Sequence, residues 1–216
     1  MASSLDFALF GTPKEGNRER WTDLARSLDF ETVVHSRQVH GARVLVHDFL
    51  SPGLHIVRDA DGHATAETGI LLGVTVADCV PVFLVDPRVR AVALLHAGWR
   101  GVVAGVVEEG MAVLADSFRT ASHRLHAHLG PAICGACYEV GPEVHRALRL
   151  PDPGEAEPVD LRRVIRTRLL EAGVAESQIS LSTRCTRCGA SPFFSHRRGD
   201  PRRQVAFMGI RSPSAR

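Results

Sequence analysis

Three residues between positions 40 and 96 carry the clearest chemistry in this chain. They are His40 in Gln38-Val39-His40-Gly41, Cys79 in Ala77-Asp78-Cys79-Val80-Pro81, and His96 in His96-Ala97-Gly98-Trp99-Arg100-Gly101. Each stands where an apolar run meets a glycine, an acid or a proline. Two imidazoles and a thiolate make a three-ligand set for a soft-to-borderline transition metal. Three protein ligands leave a fourth position for water or substrate, as in catalytic rather than structural zinc sites. Zinc suits these donors, and copper binds them more tightly, so affinity alone does not choose between the two. Without a metal, the same residues are a cysteine nucleophile with a histidine base. Taken singly, His40 reads as a turn histidine and Cys79 as a small buried hydrophobe. Asp78 and Pro81 weigh toward a joint site, because a buried acid in an apolar strand is costly unless it has partners.

The other four cysteines form two pairs, Cys134-x-x-Cys137 and Cys185-x-x-Cys188. Pair spacing suits a structural zinc site, but residues 138 to 184 lie between the pairs, more than a zinc ribbon usually allows. Two predicted helices fall in that interval, so the expectation is that the pairs do not share a second metal. Redox or packing roles are the other readings of CxxC. Arg197 and Arg198 follow the anchor Phe193-Phe194, and Arg100 follows Gly98-Trp99. Arginine forks pair bidentately with phosphate, so these are candidates for an anion site; the plainer alternatives are a solvated turn and, for Arg100, a buried partner for an acid. Asp61 in Arg58-Asp59-Ala60-Asp61-Gly62 reads by itself as a turn aspartate.

The elements that must hold these residues follow from periodicity. Asn17 is expected to cap a helix with Trp21, Leu24, Ala25 and Leu28 on one face. Glu31 to His35 and Arg43 to Asp48 read as strands around the His40-Gly41 turn, and Pro52 to Thr68 as a loop. Ile70 to Val76, Val82 to Val85 and Ala91 to Leu95 are short apolar runs, expected as strands buried on both faces. His96 then falls at a strand end before a glycine-rich turn, a common ligand position in layered folds. Gly98 to Phe118 is expected to become one helix with an apolar stripe of Val103, Val107, Met111, Leu114 and Phe118. Leu125 to Leu129 reads as a strand, Gly141-Pro142 as the start of a helix through Leu150, and Pro151 to Pro158 as a loop. Asp160 is expected to cap a helix with Leu161, Ile165 and Leu169 inward and its arginines outward. Gln178 to Ser182 and Gln204 to Ile210 close the fold as strands. Helices and strands mix without a strict βαβ repeat, which points to an α+β layered fold with mixed β-sheets.

The chain has 216 residues, 44% hydrophobic and 23% charged, with net charge +2. That suits a single globular domain spanning 1–216 and gives no reason to expect a nucleic-acid partner. Lys14 is the only lysine against many arginines. The N-terminus lacks a basic segment followed by an apolar one, and no stretch is long enough to cross a bilayer, so a cytoplasmic setting with reduced thiols is expected.

Gln38 to Gly41, Thr75 to Val82 and His96 to Gly101 together resemble the signature of the multicopper polyphenol oxidase (laccase-domain) family. Its members are described as purine nucleoside phosphorylases with adenosine deaminase side activity, and some as peptidoglycan editing factors. Gly130-Pro131-Ala132-Ile133, Tyr138-Glu139-Val140-Gly141, Asp160-Leu161, Arg184-Cys185-Thr186 and Phe193 to Arg198 follow in the family's order. The resemblance runs from about Asn17 to Ile210. It implies a β-sandwich flanked by helices and one transition-metal ion, zinc or copper, on His40, Cys79 and His96. It also implies purine nucleosides (adenosine, inosine, methylthioadenosine) and phosphate as substrates. Asp61 matches an acid recurring in the family. With Gln38, Asp78, Arg100 and Arg197 it makes the set expected around the substrate. In this family cysteine recurs at 185, and at 134, 137 and 188 it is optional. Gly11 to Gly16 replaces a longer Gly-Gly-Val-Ser loop, so part of the family's pocket rim is absent or rebuilt. A single mononuclear site cannot form the cluster that multicopper oxygen reduction requires. Two further readings of the residues stay open: a metal-free Cys-His hydrolase or amidase, which would fit editing of peptidoglycan precursors, and a non-enzymatic binding module stabilised by zinc on the CxxC pairs.

Overall fold

A computed structural model describes residues 7–9 and 16–212. The expectation about the rebuilt segment at Gly11 to Glu15 lies outside the described residues. Two sheets face one another. The four-stranded sheet runs in the order β12 (Gln204–Gly209), β5 (Ile70–Val76), β1 (Thr32–Ser36), β3 (Gly53–Val57). The six-stranded sheet runs β11 (Ile179–Leu181), β8 (His126–Leu129), β6 (Val80–Asp86), β7 (Ala91–Ala97), β4 (Gly62–Thr65), β2 (Val44–Val46). Both sheets are mixed: β1 pairs parallel with β3 and β5, while β12 pairs antiparallel with β5 and β6 antiparallel with β7. A two-stranded ribbon joins β9 (Glu139–Val140) to β10 (Glu157–Pro158). The layered α+β reading therefore holds.

Period-two alternation explains the layers, because neighbouring side chains on a strand point to opposite faces. On β5, Leu72, Val74 and Val76 meet Val92 and Leu94 of β7 between the sheets. The other face of β5 meets helix α1 (Asn17–Ser27), where Trp21 and Ala25 pack with Val33 and Leu71. A Cβ at Gly73 would lie 2.3 Å from the Trp21 ring, so only glycine lets the indole approach the strand. The outer face of the six-stranded sheet, through Leu84, Ala93 and Leu95, is covered by α3 (Val106–Phe118) and α5 (Leu161–Glu171). No helix among the described residues is long and apolar enough to cross a membrane.

Several expectations need correction. Asn17 is not the cap of α1: Gly16 holds the N-cap position, and the buried Asn17 side chain donates to the carbonyl of Ala8 and accepts from Arg20. Pro52 to Thr68 is not a loop but contains β3 and β4, which gain their hydrogen bonds from distant parallel partners, β1 and β2. The helix expected over Gly98 to Phe118 breaks at Gly105 (φ 92) into α2 (Trp99–Ala104) and α3. The break removes Val103 from the apolar stripe and leaves it 41% exposed, while Val107, Met111 and Leu114 are buried. Helix α4 (Pro142–Ala147) stops before Leu150. Asp160 caps α5 by accepting from the Arg162 N–H (3.1 Å), as expected, but Arg162 itself points inward. Its guanidinium donates to the carbonyls of Ser182 (2.6 Å) and Arg184 (3.0 Å), which offsets the cost of burying it.

Candidate functional site

His40, Cys79 and His96 reach one rim from three directions. His40 sits in the turn after β1, Cys79 in the turn between β5 and β6, and His96 one residue before the end of β7. Along β7, His96 has the parity of Val92 and Leu94, so its ring points between the sheets where the core opens. Pro81 lies opposite His96 in the β6–β7 ladder, which brings the Cys79 turn alongside. One donor atom from each of the three lies within 4.8 Å of the others, and Cys79 Sγ is 4.0 Å from His40 Nε2.

Asp61, just before β4 and fully buried, holds this arrangement. Its Oδ1 accepts from His96 Nδ1 (2.8 Å) and the His40 N–H (2.9 Å). Its Oδ2 accepts from the N–H groups of Val39 (3.1 Å) and Gly41 (2.8 Å). The bond to Nδ1 leaves His96 Nε2 as the ring's free donor atom and fixes its tautomer. The three backbone bonds hold the His40 turn, where His40 adopts φ 58. Gln38 clamps the same turn to β5, donating to the Thr75 carbonyl (2.8 Å) and accepting from the Thr75 N–H (2.8 Å) and hydroxyl (2.9 Å). Asp78 is strained, with φ 86, and is anchored by Thr186 Oγ1 (2.5 Å), Ser195 Oγ (3.1 Å) and the Arg197 N–H (2.7 Å). The carboxylates of Asp61 and Asp78 and the amide of Gln38 are therefore engaged by protein groups.

Charge follows this geometry. Burial alone would push the Cys79 thiol up, but the His96 charge and hydrogen bonds from both imidazoles bring it down to about 6. Burial would lower His96; the Cys79 thiolate and Asp61 raise it to about 9. Burial would also raise Asp61, yet its bonds from His96 and the backbone hold it below the ordinary carboxylate range. The site is thus a thiolate beside an imidazolium, itself beside a carboxylate. Once the His96 Nε2 proton is released, that donor set fits a borderline transition metal, and the carboxylate on the far ring nitrogen of a histidine ligand is the usual companion of such sites. Gly98 leaves room for it: a Cβ there would lie 2.9 Å from His40 Cδ2 and 3.0 Å from Cys79 Sγ.

A cavity of about 350 Å³ opens over Cys79, walled by Trp99, Arg100, Ile133, Tyr138, His196 and Arg197 among others. A second, of about 290 Å³, reaches the trio from the side of Gln38, Thr75 and Arg203 and shares His40, Cys79 and His196 with the first. Arg100 lies over the Trp99 ring (4.4 Å) and Arg197 over Tyr138 (4.9 Å), so both guanidiniums are held at the mouth. Burial pushes Tyr138 up to about 12, leaving its hydroxyl a proton donor. A larger cleft, about 540 Å³ beside α5, contains the Arg168–Glu108 ion pair but no cysteine or histidine. Of the residues expected around the substrate, Arg100 and Arg197 line the cavity, Asp78 touches its floor, and Gln38 and Asp61 act on the trio. Sequence reasoning assigned no role to Tyr138, Ile133, Trp99, His196 or Gly98. Gly98 and Trp99 share the His96 motif, and Ile133, Tyr138 and His196 lie in further stretches of the family resemblance; that was their one signal.

The separation in sequence that argued against a shared metal on the CxxC pairs is not a separation in space: the Sγ atoms of Cys134, Cys137, Cys185 and Cys188 lie within 4.8 Å of one another. β8 and β11 are parallel neighbours, so the chain leaves both at the same edge, and the intervening helices return it to where it started.

The family model described as "Multi-copper polyphenol oxidoreductase laccase" matches residues 13–211. The chain is 37% identical over 203 residues to "Adenosine deaminase RL5" from an unknown prokaryotic organism, covering 85% of this chain and 76% of that one. It is 36% identical over 208 residues to "Purine nucleoside phosphorylase YlmD" of Geobacillus stearothermophilus, covering 89% and 73%. The crystal structure of that YlmD superposes with a TM-score of 0.89 at 34% identity, covering 97% of this chain and 86% of the other.

Proposed function

The chain belongs to the multi-copper polyphenol oxidoreductase laccase family, and from that premise we propose that it is a metal-dependent purine nucleoside phosphorylase with adenosine deamination as a second activity. The observation that carries the reading is the convergence of His40, Cys79 and His96 beneath a cavity flanked by Arg100 and Arg197, with Asp61 fixing two of the three. The residues that would hold the metal are those three, and zinc is the metal their donors suit. When bound, it supplies a Lewis acid and an activated water.

The chain's own groups do the rest. Arg100 and Arg197, stacked on aromatic rings, pair with phosphate oxygens and place the anion near the ribose. The Trp99, Ile133 and Tyr138 wall excludes water from one side of a site sized for a nucleoside. Tyr138 donates a hydrogen bond without ionising. In phosphorolysis the ribosyl group passes to phosphate and free base leaves; in deamination water replaces the C6 amino group and ammonia leaves. Adenosine, inosine and methylthioadenosine are the proposed nucleosides, and a cytoplasmic setting goes with them. The test is to incubate metal-replete protein with adenosine, with and without phosphate, and identify the products. Base release only with phosphate and inosine formation without it support the proposal; base release independent of phosphate would make it a hydrolase.

One observation favours a second reading. The order Asp61–His96–Cys79, with a thiol near 6, is also how a cysteine nucleophile is prepared. His40 weighs against it, since a nucleophile needs one base and a metal needs three ligands. Activity that survives chelators, with covalent labelling of Cys79 by a thiol-reactive substrate analogue, would select the nucleophile.

A further inference from the structure

A second donor set lies outside the trio, and the function above does not use it. Cys134 and Cys137 bracket a 3-10 turn at Gly135–Cys137; Cys185 and Cys188 bracket the turn that follows an isolated bridge between Ala132 and Cys185. Cys134 Sγ and Cys188 Sγ are 3.9 Å apart. Four thiolates around zinc at Zn–S distances of about 2.3 Å form a tetrahedron with edges of about 3.8 Å. Cys185 Sγ accepts three backbone N–H groups, from Cys134 (3.3 Å), Arg187 (3.3 Å) and Cys188 (3.4 Å). Such bonds favour the charged form of a sulfur, which is the form that ligates.

The segment around the second pair has little secondary structure of its own. Between Leu181 and Gln204 the chain forms only one 3-10 turn, His196–Arg198, and most of its side chains are exposed. A connection of that length without secondary structure of its own is uncommon in a compact domain. Hydrogen bonds to Asp78 tie down Thr186, Ser195 and Arg197, and Arg198 donates to the carbonyls of Thr186 and Arg187 (3.3 Å each), while Cys188 and Gly189 stay exposed at the surface. The first pair lies on the loop that carries Ile133 and Tyr138; the second lies on the segment that carries His196 and Arg197. Both loops wall the Cys79 cavity.

We propose that Cys134, Cys137, Cys185 and Cys188 bind a structural zinc ion through four thiolates, and that this ion staples the two loops forming one wall of the cavity. Binding releases the thiol protons and closes all four positions on the metal, so the ion takes no part in turnover.

The test reads metal rather than activity. Full-length protein is purified under reducing conditions with zinc, and bound zinc is measured after gel filtration. The wild type is expected to hold two equivalents and a His40→Ala/His96→Ala variant one. Cobalt substituted into that variant should give the intense thiolate charge-transfer absorption of a four-sulfur tetrahedral centre. Cys134→Ser/Cys188→Ser should lose one equivalent; if it does not fold, the trio variant still decides. The proposal is overturned if the trio variant holds only a trace of zinc, or if its cobalt spectrum lacks the four-sulfur signature. It is equally overturned if native protein has an intact mass short by the hydrogens of a disulfide. Because neither variant is judged by turnover, this result stands or falls apart from the nucleoside reading.

Discussion

Replacing Asp61 by asparagine tests how the trio is held. The carboxylate accepts four N–H donors, two on each oxygen. Asparagine keeps one oxygen and turns the other into a donor, so two of the four face an NH2 group in either flip. Leaving a buried donor unsatisfied costs about 1–3 kcal/mol, so the gross penalty is about 2–6 kcal/mol. If the NH2 faces His96, the ring adopts the other tautomer and its Nε2 carries a proton instead of a lone pair. If it faces Val39 and Gly41, the turn carrying His40 at φ 58 loses two of its three backbone anchors. Either way one ligand is misplaced. Disturbing such a supporting carboxylate typically costs 10–100-fold in metal affinity or activity, which is about 1.4–2.7 kcal/mol. If about 2 kcal/mol appears as lost stability of the metal-free protein, Tm falls by about 4–8 °C for a chain of this size. Zinc affinity is measured by competition with a chromophoric chelator, and Tm by calorimetry of metal-free protein. An Asp61→Asn variant with zinc affinity and Tm both unchanged would refute the clamp.

Four further outcomes are expected. Cys79→Ala and His40→Ala should each lose the trio's zinc and all nucleoside chemistry together, measured as one equivalent less zinc than wild type and as product formation, because two remaining ligands hold zinc weakly. Gly98→Ala should weaken zinc binding by about tenfold or more in the same competition assay, because its Cβ would press on His40 and Cys79 at 2.9 and 3.0 Å. In metal-free protein, Cys79 should alkylate readily at neutral pH and more slowly as pH falls through about 6, with zinc protecting it; a rate that rises only above pH 8 would contradict the ion pair. Acid should destabilise the fold. Burial holds His35 and His47 down to about 4 and His63 well below its ordinary value, so their stabilisation is complete above the unfolded pKa near 6.5 and is lost as pH falls toward 4. For His35 alone the loss between pH 7 and 5 is about 2 kcal/mol, which denaturant midpoints at the two pH values would detect.

Local pattern exposes some parts of this molecule and hides others for physical reasons. Ile70 to Val76 is a short apolar run buried on both faces, so the reading and the structure coincide to the residue. The β4 strand, Gly62-His63-Ala64-Thr65, reads as loop because half of it is polar. It is nonetheless fully buried, since distant groups absorb its polarity: His63 accepts from His47 (2.9 Å) and donates to Ser36 (3.1 Å), while the Thr65 hydroxyl donates to the His47 carbonyl (2.8 Å). No window of sequence contains those partners. Asp61 and the cysteine pairs are hidden in the same way. The aspartate draws its donors from 39 to 41 and from 96, and the CxxC pairs meet only because β8 and β11 run parallel. The residue types at His40, Cys79 and His96 announce chemistry, whereas the groups that aim them are ordinary residues until the sheets are assembled. The trio lies at the rim for a related reason. A ladder's hydrogen bonds stop at strand ends, and the freed N–H groups of residues 39 to 41 become the hands by which a single buried carboxylate sets two ligands at once.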